Sequence, residues 1–435
     1  MKTPQIEQAT FEKIVGGGQT LGHLADGRKV FVWGALPGEA ASVRITKKKS
    51  RLAEGVAESI TSPSNERVAP RDESTYLSTS PWQILSFDAE QRYKSALIEE
   101  AFELHNIVLP KPITVFTDGR EYHYRNKVEF SFFGQQDDDG TDKLDLAFFR
   151  RGSKGKVIVD QCSLLPDTMM QTARDITRYL ESSHISARQL KTLLIRCDQS
   201  GQCVWQLYVK VDDFSLNADD IARHVPAMGG EIIYSDPKSP ASRITKRLSS
   251  TGDLVLTDTI LGVPFHYATE GFFQVNLPVY ERALTDMANW IEERDTVDMY
   301  AGVGSIGLTI GKGRVTLVEV NEDAVREMRR NIQELGREGT AEAVLAPSEK
   351  SLAFITSDAT IILDPPRAGL HQNVIDALLD AEPERIVYLS CNPVTQARDV
   401  ALLATRYGVR HHQGYNFFPR TPHIEHLVVL DRISS

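Results

Sequence analysis

The sequence has little cysteine and lacks a long apolar run, and both shortages limit the possible functions. Its 435 residues contain four cysteines, Cys162, Cys197, Cys203 and Cys391, whose spacing fits neither a disulfide framework nor a paired zinc site. Hydrophobic stretches all fall short of the roughly 20 residues that a membrane helix needs, and the polar start MKTPQIEQ is unlike a signal peptide. These features predict a cytoplasmic protein of two to four domains.

Basic residues are outnumbered by acidic ones, 49 to 59, and they are unevenly placed. The net charge is −10, which by itself argues against a nucleic-acid partner. Residues 1–60 nevertheless carry nine basic and six acidic residues, so this segment is +3 and the rest of the chain is −13. The run Lys47-Lys48-Lys49-Ser50-Arg51 is predicted to form a loop between two strands, either facing phosphates or acting as a solvated hairpin tip.

Hydrophobic patterning divides the chain into three parts. Short strands at 29–33, 40–45 and 55–60 predict a small antiparallel barrel, followed by a linker at 62–65. The middle part is predicted to be α+β and mostly β, because two helix patterns occur among several strand patterns. Its helices are expected at 88–104 and 167–182, and its strands at 122–133, 144–150, 192–197 and 204–211, with a mobile hairpin tip at 134–142.

From about residue 280 the pattern alternates between strand and helix. Strands are expected at 295–299, 314–319, 359–363 and 385–389, and helices at 280–293, 322–335, 371–379 and 393–405. Such alternation is typical of a parallel sheet covered by helices, with ligands bound at the carboxyl ends of the strands.

Two loops at that edge carry motifs that suggest a cofactor site. Gly302, Gly304 and Gly307 satisfy G-x-G-x-x-G, which by itself fits a dinucleotide or S-adenosylmethionine. Asp298, just before the loop, could face the methionine ammonium group, and Glu319 could accept hydrogen bonds from ribose hydroxyls. Asp364 begins a second loop, Asp364-Pro365-Pro366-Arg367, whose prolines stiffen it; a purely structural turn is the alternative.

Cys391 follows the next strand and directly precedes a predicted helix. Asn392 suits the N-cap and Pro393 the first helical position. A helix N-terminus lowers the pKa of a nearby thiol, so Cys391 is predicted to be a nucleophile, with a small buried core cysteine as the alternative. Glu425 opens the last strand, and the flanking His423 and His426 are interpreted as structural.

Together these motifs resemble the S-adenosylmethionine-dependent RNA 5-methyluridine methyltransferases. Residues 17–49 resemble the TRAM barrel of that family, Tyr124-Arg125-Asn126-Lys127 a strand of its central domain, and 271–276 the segment before its catalytic domain. The resemblance implies three domains: a TRAM-like RNA-binding β-barrel at 1–62, a linker and central α+β RNA-binding domain at 63–267, and a Rossmann-like α/β methyltransferase domain at 268–435.

The resemblance also implies roles for individual residues. Cys391 would add to C6 of uracil and Glu425 would remove the C5 proton, while Phe272 and Arg125 would contact the substrate base. S-adenosylmethionine contacts are implied for Gln274, Tyr300, Ser305, Glu319 and Asp364. Ser348 stands where relatives often have Asp or Asn near the adenine.

The chain departs from many ribosomal-RNA members at their iron–sulfur site. Those members have three cysteines as C-x5-C-x2-C before a Trp-Gln pair, and a fourth further on. Before Trp82-Gln83 this chain has none, and only Cys162 stands at the fourth place. Because one thiolate cannot hold a cluster that needs four, no iron–sulfur centre is expected.

The predicted function is therefore uracil-C5 methylation of RNA, with ribosomal RNA favoured by the TRAM-like barrel and the Tyr124–Lys127 strand. Transfer RNA is the alternative substrate. Methylation of cytosine C5 or of an amino group, a dinucleotide-dependent reductase, and a non-catalytic RNA-binding protein are the rival functions. A reductase would not explain Cys391 or Glu425, and a binding protein would not need to retain both.

Overall fold

The computed structural model describes residues 5–136 and 142–433, so most of the predicted mobile tip, 137–141, lies outside the described residues. The helices and strands follow in chain order. The first part contains β1 (Ile6–Ile14), β2 (Thr20–Leu24), β3 (Lys29–Trp33), β4 (Ala40–Lys48), β5 (Leu52–Ser62), α1 (Tyr76–Thr79), α2 (Phe87–Glu103), β6 (Val115–Phe116), β7 (Lys127–Gln136), β8 (Asp142–Phe149), β9 (Lys156–Ile158), α3 (Asp167–Ser182), β10 (Leu190–Cys197) and β11 (Cys203–Val209).

The second part continues with α4 (Ala218–Ala222), β12 (Gly229–Tyr234), β13 (Lys246–Gly252), β14 (Val255–Ile260), β15 (Val263–Ala268), α5 (Leu277–Ala288), β16 (Thr296–Met299), α6 (Ser305–Ile310), β17 (Val315–Glu319), α7 (Glu322–Glu334), β18 (Ala341–Leu345), β19 (Thr360–Leu363), α8 (Gln372–Ala381), β20 (Arg385–Ser390), α9 (Pro393–Leu403), β21 (Tyr407–Tyr415) and β22 (Glu425–Arg432). Short 3-10 turns lie at Ser348–Lys350 and Leu352–Phe354. None of the helices in the described ranges is long and apolar enough to cross a membrane.

The chain forms two compact units. The first contains residues 1–90, 120–256 and 420–422, and the second contains 91–119, 257–419 and 423–435. The division into three domains at 1–62, 63–267 and 268–435 stays a prediction.

In the first unit, β1 to β5 close into a barrel in the order β1-β2-β3-β5-β4. Side chains along its strands point alternately into the core and outward. In β3, Val30 and Val32 are fully buried, whereas Lys29, the first residue of the strand, is exposed. The predicted loop for the basic run is partly wrong, since Lys47 and Lys48 belong to β4 and pair with Glu54 and Glu7. Strand β4 continues three residues beyond Ile45, the end of the predicted strand, because β5 offers backbone hydrogen-bonding partners there.

A second sheet of the first unit has the order β13-β12-β11-β10-β7-β8-β9. Helix α3 runs over Asp167–Ser182 as predicted and buries Met169, Ala173, Ile176 and Leu180 along one stripe. The expectation of no disulfide is wrong, because Cys197 and Cys203 form one. The antiparallel register of β10 and β11 places the two residues opposite each other with their Cα atoms 4.2 Å apart.

The second unit contains a sheet with the order β18-β17-β16-β19-β20-β22-β21-β6. Strands β16 to β20 run parallel, as the alternating pattern predicts, and β22 is antiparallel to β20. Ile361, Leu363 and Ile386 lie on one face of the central strands and belong to the core, and Ile362 and Val387 on the opposite face are also fully buried. All the loops that carry the sequence motifs of this unit begin at or near the carboxyl ends of these strands.

Candidate active site

Five titratable side chains lie along one edge of the second unit's sheet. Asp298 is in β16, Glu319 ends β17, and Asp364 and Cys391 directly follow β19 and β20. Strand β22 enters from the same edge with Glu425 as its first residue. Since Ser390 pairs with His426 in the β20–β22 ladder, the next step of the register brings Cys391 beside Glu425. The edge predicted to hold the chemistry therefore contains each of these five residues.

The glycine loop is shaped by left-handed backbone conformations and by carboxylate contacts. Tyr300 has φ +68°, an unusual value for a residue with a Cβ, and Gly302 and Gly304 also have positive φ. The Gly302 N–H donates to Glu319 at 3.0 Å, and the Gly307 N–H donates to Asp298 at 2.8 Å. These two carboxylates thus fix both ends of the loop.

Asp298 is fully buried and only partly satisfied. Its Oδ2 accepts from Gly307, whereas its Oδ1 has no hydrogen-bond partner among the described residues. Burial raises the pKa of Asp298 to about 8, and the charges of Asp364 and Glu319 act in the same direction. A cation placed beside this oxygen would relieve both the missing contact and the mutual repulsion of the carboxylates.

The predicted cofactor residues Tyr300 and Ser305 each contact a neighbouring hydroxyl. The Tyr300 phenol hydrogen-bonds the side chain of Ser348, although burial still raises its pKa to about 12. Ser305 lies 2.8 Å from the hydroxyl of Tyr280, a fully buried residue that the sequence analysis did not identify. Tyr280 belongs to the buried side of α5, and the apolar pattern of that helix gave no sign that the Tyr280 hydroxyl would lie at the glycine loop.

Gln274, another predicted contact, is buried in the segment that leads into α5. Two residues further on, Asn276 is also buried, and both polar atoms of its side chain lack a partner within the described ranges. The segment therefore retains unused hydrogen-bonding capacity next to a predicted ligand contact.

The expected lowering of the Cys391 pKa is wrong for the protein without ligands. The pKa of this thiol is raised to about 12, by burial first and then by the charges of Glu425 and Asp364, while the charge of Arg367 opposes the shift. The helix terminus was the only influence visible in the sequence. The carboxylates reach Cys391 through sheet pairing, and their effect together with burial is larger.

Glu425 and Asp364 influence each other as two buried carboxyl groups. Glu425 is only 4% exposed, and its pKa is raised well above the ordinary value by burial first and by Asp364 second. Burial likewise raises the pKa of Asp364 to about 7. Near neutral pH the pair therefore carries less than two full negative charges, and a group with its pKa in this range can exchange protons.

Arg367, the last residue of the Asp364-Pro365-Pro366-Arg367 motif, supplies a positive charge to this edge. Its charge lowers the pKa of both Cys391 and Glu425. Its carbonyl oxygen accepts from Asn392 Nδ2 at 2.9 Å and from Thr395 Oγ1 at 3.2 Å. The Asn392 side chain also caps α9 through the Val394 N–H, as predicted, so one residue joins the Asp364 loop to the Cys391 helix.

The two histidines near Glu425 have contacts consistent with structural roles. His426 is fully buried, with Nδ1 2.7 Å from Gln396 Oε1 and Nε2 3.3 Å from His412. His423 Nδ1 lies 3.2 Å from Arg367. His426 therefore points into a buried polar network, and His423 helps to position the cation.

The two predicted substrate contacts belong to different units. Phe272, in the second unit, is 71% exposed, which is unusual for a large aromatic residue. Arg125, in the first unit, donates from Nε to the carbonyl oxygen of Lys127 at 3.0 Å. Phe272 thus offers a ring to solvent, and Arg125 is held in place by its own strand.

Comparison with known proteins identifies the family that this edge resembles. Residues 350–433, which contain Asp364, Cys391 and Glu425, match the family model described as tRNA (uracil-5-)-methyltransferase. The predicted resemblance to the RNA uracil-C5 methyltransferases is confirmed. The matched region begins before β19 and ends after β22, so it includes the strands that supply the thiol and two of the carboxylates.

Similar proteins extend the likeness over nearly the whole chain. An uncharacterized RNA methyltransferase of Nitratidesulfovibrio vulgaris is 29% identical over 97% of this chain and 95% of its own length. Another of Fusobacterium nucleatum is 26% identical over 99% and 97%. The tRNA (uracil-54, C5)-methyltransferase of Pyrococcus abyssi, solved with S-adenosyl-L-homocysteine, shares the fold with a TM-score of 0.78 at 22% identity, covering 97% of this chain and 100% of that one.

Proposed function

We propose that this chain methylates C5 of a uridine in RNA, with S-adenosylmethionine as the methyl donor. The observation that carries the proposal is the pairing of a thiol with a buried carboxyl group, Cys391 with Glu425, beside a glycine loop lined by carboxylates. A thiol and a base are the two groups that C5 chemistry requires of the protein.

The loop suits S-adenosylmethionine better than a dinucleotide. Three carboxyl groups, those of Asp298, Glu319 and Asp364, lie at the loop, and Asp298 has an oxygen without a partner among the described residues. The pKa values of about 8 for Asp298 and about 7 for Asp364 mean that a bound cation would draw both groups into the ionised form. Dinucleotide phosphates would be repelled there, whereas a ligand with a sulfonium and an ammonium group would be attracted. When bound, this cofactor supplies an electrophilic methyl group. Gln274, Tyr300, Ser305, Glu319 and Asp364 are the residues proposed to hold it.

The proposed roles of Cys391 and Glu425 follow from the chemistry of uracil. The Cys391 sulfur forms a bond to C6, and the electron pair of the C5=C6 bond moves to C5 and O4, which makes C5 nucleophilic. After C5 has gained the methyl group, Glu425 takes the C5 proton. The electron pair of that C–H bond re-forms the C5=C6 bond and expels the thiolate.

Arg367 would favour the ionised form of both groups during these steps, because its charge lowers both pKa values. A uracil within a stacked helix hides C6, so the base must be unpaired or flipped out. We assign Phe272 and Arg125 to the substrate, the barrel at 1–62 and the central domain at 63–267 to RNA binding, and 268–435 to a Rossmann-like catalytic domain.

The mechanism is tested with RNA that contains 5-fluorouridine at the target position. Fluorine cannot leave as a cation, so the adduct with Cys391 should persist in the presence of S-adenosylmethionine and appear as a shifted band in a denaturing gel. Cys391→Ala should abolish the adduct, and Glu293→Gln, at an exposed residue that pairs with Lys312, serves as the control. Glu425→Gln should accumulate the covalent complex with ordinary uridine. Equal trapping by wild type and Cys391→Ala would refute the mechanism.

Ribosomal RNA is the first candidate substrate, because of the sequence features of the barrel and of the Tyr124–Lys127 strand. Transfer RNA is the second candidate, since the descriptions of the matching family model and of the structural relative from Pyrococcus abyssi both name tRNA. Mapping 5-methyluridine in both RNAs from a strain that lacks the gene separates them, because only the true substrate loses the modification. We also propose that the chain has no iron–sulfur cluster; stoichiometric iron and sulfide in anaerobically purified protein would contradict this.

A further inference from the structure

A cavity of about 740 Å³ lies in the first unit, separate from the residues assigned to catalysis. Its lining includes the guanidinium groups of Arg71 and Arg174 and the imidazole of His123, together with two glutamine amides and two hydroxyl groups. Its volume is in the range of small-molecule sites. Asp167 is the one acidic side chain among the lining residues, so the lining has an excess of positive charge and of hydrogen-bond donors.

The two arginines are positioned without a carboxylate partner within the described residues. The Arg71 guanidinium stacks over the ring of Tyr122, 4.1 Å from its centroid, which fixes its plane and leaves its N–H groups available. Arg174, on the first half of α3, donates to the carbonyl oxygen of Asp160. A guanidinium has five N–H donors, so each arginine can still form the paired hydrogen bonds that phosphate accepts.

His123 contributes from a strained backbone conformation. Its φ is +57°, and it is held by its N–H to Ser163 O at 2.9 Å and by Nδ1 at 2.8 Å from Leu165 O. Since a carbonyl oxygen only accepts, Nδ1 carries the proton and Nε2 is the nitrogen left to contact a ligand. Non-glycine residues in this conformation concentrate at functional sites.

Two weakly polar side chains, Cys162 and Met170, also line the cavity, and both are buried. Burial raises the pKa of the Cys162 thiol to about 12, so the thiol is neutral. The neighbouring Ser163 is fastened to Asp72, whose carboxylate accepts from its N–H at 3.0 Å and from its hydroxyl at 2.7 Å. Asp72 also accepts from Gln83 Nε2 at 2.8 Å, so one hydrogen-bonded carboxylate joins the segment before the cavity to Ser163.

We propose that this cavity binds a nucleotide through its phosphate, with Arg71 and Arg174 on the phosphate oxygens and the sugar or base over Cys162 and Met170. The Asp167 carboxylate is available to accept from a ribose hydroxyl, which DNA lacks at the 2′ position. We take the bound nucleotide to be part of the RNA substrate, and this assignment rests on the proposed function. A free nucleotide has the same phosphate chemistry and is the alternative ligand.

The test measures RNA binding by fluorescence anisotropy as a function of salt, with wild type, Arg71→Gln and Arg174→Gln. Each variant should bind RNA roughly fivefold more weakly. The slope of log K against log salt should become shallower by about 0.7 for each lost phosphate contact. Arg178→Gln is the matched control, because Arg178 is one turn further along α3 and is paired with Asp175 outside the cavity. Arg71→Lys keeps the positive charge at this position. Melting temperatures equal to that of wild type verify that the variants are folded.

A second measurement titrates uridine monophosphate by calorimetry. If wild type binds the nucleotide, both glutamine variants lose that binding, and the salt slopes for RNA are unchanged, the cavity is assigned to a free nucleotide. Wild-type slopes and no loss of nucleotide binding in either variant would overturn the proposal. The 5-fluorouridine adduct, formed at saturating RNA, reports on the proposed function separately: its absence in wild type refutes that function whether or not the cavity binds phosphate.

Discussion

The pH dependence of Cys391 alkylation tests how the carboxylates control the thiol. With a pKa of about 12, Cys391 is ionised in only about one molecule in ten thousand at pH 8, against about one in four for an unperturbed thiol. A more basic thiolate is also more nucleophilic, which offsets part of this difference. Iodoacetamide should therefore modify Cys391 roughly fiftyfold to a hundredfold more slowly than free cysteine at pH 8.

Glu425→Gln separates the effect of burial from that of charge. Where Glu425 is protonated, wild type and variant should react at equal rates, because neither has a charge at this position. As pH rises and Glu425 ionises, its charge holds the proton on Cys391 in wild type alone, so the two profiles should diverge. A like charge at close range shifts a pKa by about one to three units, so the midpoint in the variant should be lower by at least about one unit.

The assay follows the Cys391 peptide by mass spectrometry between pH 6 and pH 11, since Cys162 is also a free thiol. Glu293→Gln is the matched control, because Glu293 is an exposed residue of the same unit that pairs with Lys312. Profiles of wild type and Glu425→Gln that coincide over the whole range would refute the coupling. Reaction of wild type like free cysteine would refute the effect of burial.

Three other substitutions test the loops around the site. Gly307→Ala would place a Cβ 2.4 Å from Leu317 Cδ2 and 3.0 Å from Asp298 Oδ2, so urea denaturation should show a loss of about 2 kcal/mol in the free energy of unfolding. Asn392→Ala removes a helix cap and the contact to Arg367, so it should cost about 1 kcal/mol in stability and slow formation of the 5-fluorouridine adduct at saturating RNA. Asp298→Asn should weaken S-adenosylmethionine binding about tenfold in calorimetry and abolish the decline in affinity expected as wild-type Asp298 is protonated below about pH 8.

The sequence predicted those parts of the fold where the local pattern and the tertiary contacts agree. Helix α3 has the predicted bounds because a single apolar stripe runs along it and Asp167 places a negative charge in its first turn. Strand β21 was missed: its sequence, YGVRHHQGY, is rich in polar residues, and its pairing with β22 stabilises it as a strand. The Cys197–Cys203 disulfide depends on the hairpin register, which cysteine spacing does not reveal.

For the site, the sequence identified individual residues better than their electrostatics. Cys391, Glu425 and Asp364 were found because each begins or follows a strand at the same sheet edge. The direction of the Cys391 pKa shift was wrong, since it depends on burial and on charges from separate strands. Arg367 was undervalued for the same reason: its effect on Cys391 and Glu425 arises from the folded loop.

The acidic edge has a consequence for how an RNA substrate can be recognised there. Asp298, Asp364 and Glu425 oppose the approach of phosphates, but a uracil base is neutral and can enter without them. A methyl donor that carries positive charge would be attracted by the same carboxylates that keep Cys391 protonated. Binding of such a donor should therefore favour the thiolate as well, so one set of charges would limit thiolate formation until the donor is present. The affinity for the RNA backbone must then come from basic residues that do not belong to this edge, such as those of the barrel and of the cavity lined by Arg71 and Arg174.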